Sequence, residues 1–359
     1  MTTPLDFYAA PGSTHAGTGW FDGRVVAGLS IVLLGALAAA IAYTIGLRLW
    51  AIPFALSGLL IWAFFLRLGL WRLFLGIVLI VAGWLLWTVV LFIAFVLYQI
   101  ANGMGLDQAL PEMQAFIESA SPASVTFQLA TFFGVWPTTW LVLKLLHGQP
   151  FGTLFSPEGR MRWGDFGRGL MLAAGFWVIT IAFGLAVVGV PERTDLPLNT
   201  WLLAFGPLAV MVFFQASAEE LIFRGYILQQ LAARWRSPLI WAVLPALLFG
   251  LAHYSSGTKL DVSWEYVAVT LFFGLAAAAM VWRTGSLAAA MGMHTGMNLF
   301  ALSGVGVEGI VEGTQLFLYD GSGARILFFA DGAATLCLLL FVLSPWCPLK
   351  PRDLRQAMA

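Results

Sequence analysis

Long, uninterrupted apolar runs constrain this chain more than any other feature of its sequence. There are ten, at residues 25–47, 49–66, 73–98, 124–146, 169–190, 200–218, 238–253, 265–282, 285–303 and 326–346. A helix needs about 20 apolar residues to cross a bilayer. In hydrocarbon every backbone N–H and C=O must be satisfied within the protein, which leaves helices or a closed barrel. A barrel strand alternates apolar and polar residues over about ten positions. Runs such as SIVLLGALAAAIAYTIGL show no alternation. The expected fold is therefore all-α, a polytopic transmembrane helix bundle of about 8–10 helices. The run at 49–66 starts directly after Arg48, contains Pro53 and is open to a re-entrant reading; the run at 238–253 is short and carries Pro245.

Composition points the same way. Of 359 residues, 60% are hydrophobic and only 10% charged, with a mean hydropathy of +0.88. A soluble fold of this length could not hide so much apolar surface from water. Eighteen basic and eighteen acidic residues cancel, and the lack of a basic stripe argues against a nucleic-acid partner. Cys337 and Cys347 suggest neither a disulfide framework nor a thiolate zinc site. Residues 1–24 read as a flexible cytoplasmic tail, not a signal peptide.

Loop charge sets the expected orientation. With the N-terminus cytoplasmic and all ten runs spanning, the cytoplasmic side holds most of the Lys and Arg, while Arg48, Arg193, Lys259 and Arg325 fall outside. The acidic connections 99–123 and 304–324 also fall outside. A multi-pass integral protein of a bacterial inner membrane is expected, and the sequence contains no internal repeat of the kind transporters use.

Ionisable groups inside membrane spans are costly and are functional candidates by default. Here they cluster in three short constellations. Glu220 and Arg224 stand four apart, so they share a helix face and can pair, while Glu219 is rotated about 100° away. One carboxylate can then be neutralised locally while the other is left for chemistry. Phe249 and His253 are one turn apart, as are His294 and Asn298. Taken singly, each set also reads as an ordinary structural contact. The turn Arg234-Trp-Arg236-Ser237-Pro238 reads as the reversal of a helical hairpin, which would put Glu219 and His253 at nearly the same height.

In order, these residues read EExxxR, FxxxH and HxxxN, and they resemble the signature of the CPBP (Abi, CAAX-protease) family, which includes the type II CAAX prenyl proteases. The resemblance covers roughly residues 200–303. It implies an intramembrane endopeptidase acting on a membrane-associated protein or peptide. By position it implies Glu219 as the base that activates water, His253 as its assistant, and His294 with Asn298 as oxyanion donors. Glu220 and Arg224 would orient the site and Phe249 would pack beside it. The implied organisation is a tail at 1–24, N-terminal membrane helices over 25–190, a catalytic core over 200–303, a final helix at 326–346 and a cytoplasmic tail at 347–359. A metal-independent glutamate mechanism is favoured, without a cofactor. Zinc held by Glu219, His253 and His294 is the chemical alternative, although the chain has no HExxH. A non-catalytic membrane scaffold or bacteriocin-immunity protein retaining the fold is the functional alternative.

Three further features are less pointed. Asp331 lies inside the last apolar run, six residues after Arg325, and reads as an interhelical hydrogen bond or ion pair. Tryptophans near run ends, among them Trp71, Trp163 and Trp346, suggest an interfacial belt. The basic, aromatic segment 151–168 is expected along the cytoplasmic headgroups.

Overall fold

The structure is a computed structural model, and it describes residues 69–254, 262–310 and 312–349. The expected spans at 25–47 and 49–66, and both tails, lie outside or almost outside those residues. The other eight apolar runs are all helical. The bundle comprises α1 (Leu70–Ala101), α2 (Leu106–Glu118), α3 (Pro122–His147), α4 (Trp163–Val187), α5 (Leu198–Ala232), α6 (Leu239–Ala252), α7 (Ser263–Thr284), α8 (Ala288–Ser303) and α9 (Gly321–Leu343). Six of these (α1, α3, α4, α5, α7 and α9) are long and apolar enough to cross a membrane.

Burial separates lipid-facing helices from central ones. α1 buries little besides Leu70, Trp71, Leu73, Gly76 and Ile80, and turns Leu85, Leu86, Ile93 and Leu97 outward. In α8, by contrast, every residue from Ala288 to Thr295 is buried. A helix enclosed by other helices need not match the bilayer thickness, which is why α8 is short yet central. Its neighbours come unusually close. A Cβ on Gly292 would collide with the Phe166 carbonyl of α4, and one on Gly169 of α4 with the Ala289 carbonyl of α8. The two glycines thus let backbone meet backbone. Indole N–H groups add ties to helix carbonyls: Trp177 donates to Met297 at 3.2 Å, Trp201 to Ser303 at 2.9 Å and Trp136 to Phe214 at 3.3 Å.

α7 carries Glu265 in its first turn and Arg283 in its last, matching the helix dipole. Arg283 also donates to the carbonyls of Val342, at 2.9 Å, and Ser344, at 2.8 Å, pinning α7 to the end of α9.

The structure corrects the sequence reading in several places. The connection 99–123 contains the amphipathic helix α2. The connection 304–324 contributes to a small sheet of β1 (Glu192–Arg193), β2 (Val305–Val307) and β3 (Phe317–Tyr319), ordered β1-β3-β2. β1 pairs antiparallel with β3 (Glu192 opposite Leu318), and β2 pairs parallel with it (Val305 opposite Phe317). Part of segment 151–168 tucks beneath the bundle: Leu154 and Phe155 are buried, and their carbonyls accept from Gln229 Nε2 and the Leu287 amide, both at 2.9 Å. Trp71 is buried, whereas Trp163 and Trp346 are exposed as a belt requires. Arg325 pairs with Glu265 of α7 at 3.1 Å, and Asp331 makes no ion pair among the described residues.

Candidate active site

The apolar run that ends at residue 218 continues as helix to Ala232, so Glu219, Glu220 and Arg224 lie inside α5. The helix widens into a π-helical turn over Leu221–Ile227, immediately after the two glutamates. Such turns displace side chains from regular spacing and are frequent at functional sites. The pairing that i,i+4 spacing suggested is nevertheless present: Arg224 Nη1 donates to Glu220 Oε1 at 2.9 Å. Both residues are buried, at 1% and 0% exposure.

His294 of α8 joins them. Its Nδ1 lies 2.8 Å from the same Glu220 oxygen. A carboxylate only accepts, so Nδ1 carries the proton. The other ring nitrogen, Nε2, lies 3.6 Å from Glu219 Oε2. His294 therefore bridges the two adjacent carboxylates, one through each nitrogen. Its ring is held edge-on to Phe273, with centroids 4.7 Å apart, and to Phe249 at 6.0 Å.

A second chain of hydrogen bonds reaches Glu219 from Asn298. Gln215 Nε2 donates to Glu219 Oε1 at 2.6 Å, and Asn298 Nδ2 donates to Gln215 Oε1 at 2.9 Å. The carboxylate dictates which way both amides point. Gln215 must turn its N–H toward Glu219, so its oxygen faces Asn298, which must answer with an N–H. Glu219 Oε2 is left buried without a hydrogen-bond donor among the described residues. Gln215 is the residue the motif reading missed, although it stands four before Glu219 and the same spacing rule would have found it.

His253 terminates α6, where its Nδ1 donates to the Phe249 carbonyl at 2.8 Å. In the neutral ring the lone pair is then on Nε2. The ring packs on Phe249, at 4.6 Å between centroids, and edge-on to Tyr266 at 5.5 Å. Phe249 is the common neighbour of the cluster, since the Arg224 guanidinium also lies 4.4 Å above its ring. Hairpin counting set Glu219 opposite His253. The imidazole that contacts Glu219 is that of His294, and His253 approaches the same space from α6.

That space is a cavity of about 470 Å³. Gln215, Phe249, His253, His294 and Asn298 line its wall, as do Asp331 of α9 and Val305–Val307 with Tyr319 of the small sheet. Glu219 lies just behind the wall, against Gln215 and His294. Among the described residues no group of three His, Cys, Asp or Glu side chains is gathered as a metal site would require.

The whole constellation, Gln215 included, falls inside the stretch 199–300, which matches the family model for type II CAAX prenyl endopeptidase Rce1-like proteins. That stretch is similar to the CAAX-protease family. The chain is also similar to the uncharacterised protein YyaK of Bacillus subtilis (strain 168), with 28% identity over 171 residues. The alignment covers 46% of this chain and 55% of YyaK, so the chain spans about half the length of the curated relative it matches. No solved structure matches the chain. The matched stretch is α5 to α8 in structural terms, and α3, α4 and α9 also contribute to the cavity lining.

Proposed function

We propose that the protein is an intramembrane endopeptidase of a bacterial plasma membrane, hydrolysing a peptide bond of a membrane-associated protein or peptide. The observation that supports this most is Glu219 Oε2, a buried carboxylate oxygen without a donor among the described residues, 3.6 Å from an imidazole that lines the cavity.

In this reading Glu219 takes a proton from water, and the hydroxide attacks the scissile carbonyl carbon. The resulting tetrahedral oxyanion is met by an N–H of Asn298 and by His294. With Nδ1–H committed to Glu220, His294 can donate from Nε2 only as imidazolium. Glu219 then passes its proton to the departing amine as the C–N bond breaks. His253 offers its Nε2 lone pair to orient the water. Glu220 and Arg224 fix the His294 ring, and Phe249 packs the cluster. Loss of one oxyanion donor typically raises the barrier by about 3–4 kcal/mol, or 10²–10³ in rate. No metal enters this scheme.

The test compares the membrane proteome of cells carrying the wild-type protein with that of cells carrying Glu219→Gln. A membrane protein or peptide that persists uncut only with the variant supports the reading, and identical processing by both refutes it. Processing abolished by strong chelation and restored by zinc would replace the glutamate scheme with a metal one.

A further inference from the structure

Asp331 is the one carboxylate in the cavity wall that the proposed chemistry leaves unused. It is half-buried in the apolar helix α9, and among the described residues its side chain forms neither a hydrogen bond nor an ion pair. The nearest basic residue along its helix, Arg325, is engaged by Glu265 of α7. The threonine hydroxyls of the wall are already committed. Thr335 donates to the backbone carbonyls of Asp331 and Gly332, Thr270 to that of Tyr266, and Thr180 to that of Trp177. The cavity lining contains no Lys or Arg, and around Asp331 it is apolar, with Val269, Leu327 and Phe328.

An ionised carboxylate facing a space poor in water is costly until a cation arrives, and that cost is recovered when one does. We propose that Asp331 is a specificity residue that receives a cationic group of the substrate, so that the cavity takes an apolar peptide segment carrying one ammonium or guanidinium. This rests on the endopeptidase reading for the word substrate, but the binding it describes stands on Asp331 and the cavity alone. The His294 and Asn298 part of the wall would hold the scissile bond while Asp331, on the α9 wall, fixes the register.

The experiment uses the full chain carrying Glu219→Gln in nanodiscs, and fluorescence anisotropy with probe peptides of one apolar sequence labelled at the C-terminus. Four probes are compared: N-acetylated with a single Lys, N-acetylated with norleucine in its place, N-acetylated with Glu in its place, and the norleucine peptide with a free N-terminus. The Lys peptide is expected to bind at least about ten-fold more tightly than the acetylated norleucine peptide. Asp331→Asn, which is nearly isosteric, should erase that preference and leave norleucine binding within about two-fold. Asp331→Lys should transfer the preference to the Glu peptide. An advantage confined to the free N-terminus would identify the cation as the terminal ammonium instead of a side chain. Equal binding of the Lys and norleucine peptides with no gain from a free N-terminus, a preference that survives Asp331→Asn, or no binding by any probe overturns the proposal. Cleavage of the same peptides by the protein with Glu219 intact is scored separately, so failure of hydrolysis counts against the endopeptidase reading and not against Asp331.

Discussion

Replacing Arg224 with Met tests whether the motif cluster is held together by its charges. The guanidinium is 1% exposed and donates to Glu220, itself 0% exposed, at 2.9 Å. It also lies over Phe249 at 4.4 Å, and Gly274 leaves it room, since a Cβ there would stand 2.9 Å from Arg224 Nη2. At an effective dielectric near 20, two unit charges that far apart attract with a gross energy of roughly 6 kcal/mol. Desolvation offsets much of this, so the pair itself is worth far less than its removal costs. What matters in Arg224→Met is the charge left behind on Glu220, and breaking a buried pair in this way costs about 3–5 kcal/mol. Adding Glu220→Gln removes the orphaned charge. The double variant should then be more stable than Arg224→Met alone by at least about 1 kcal/mol, with a coupling energy between about 1 and 3 kcal/mol. Reversible unfolding of the purified protein in mixed micelles, followed by tryptophan fluorescence, measures all three variants. If Arg224→Met lies within about 1 kcal/mol of wild type, or if the two substitutions simply add, the two side chains are not an energetic unit and the reasoning fails.

Two other outcomes follow from the geometry. Gln215→Leu removes the donor to Glu219 Oε1 and the acceptor for Asn298 together; turnover should fall about 10–100-fold with little loss of stability, whereas Gln215→Glu should be worse, because it sets a second carboxylate against the first. Steady-state kinetics on a substrate identified through Glu219→Gln, with a thermal melt as control, checks both. Gly292→Val should abolish folded protein because the new side chain has only the Phe166 carbonyl to displace, while Gly175→Ala, where a Cβ meets nothing, should be neutral in size-exclusion profiles and melts.

Much of this arrangement is legible in the sequence because the bilayer simplifies the problem. Apolar length alone locates the helices at 73–98, 124–146, 169–190 and 326–346 to within a few residues. Scarce charge makes Glu219, Glu220 and Arg224 conspicuous, and four-residue spacing correctly pairs Glu220 with Arg224. The turn read at 234–238 correctly separates α5, which ends at Ala232, from α6, which begins at Leu239. Hydropathy falls at residue 219 while the helix runs on, with Glu220 Oε1 engaged laterally by Arg224 and His294, and no periodicity encodes the contact with His294. α2 was hidden by its polarity and by Pro111, and the strands by their brevity. Contacts between helices escape counting along one chain, so spacing could raise Glu219 opposite His253 but could not reveal that α8 brings His294 to it first. The role of Asp331 depended on where the partners of Arg325 and Thr335 turned out to be, which is a property of the packed bundle.

The small sheet, whose β2 and β3 contribute Val305–Val307 and Tyr319 to the cavity lining, has strands of only two or three residues. Most of the other described residues that line the cavity lie on helices, and at α4 and α8 the backbones touch. Routes into the chamber are therefore unequal in cost. Parting two helices forfeits a whole face of packing, whereas parting β1 or β2 from β3 forfeits a few hydrogen bonds of a pairing that is marginal by itself in water. The sheet is a weakly fastened part of the cavity wall. Amide exchange should register this directly, with Leu318 and Tyr319 opening far more often than Met291 or Met293, which lie in the core of α8.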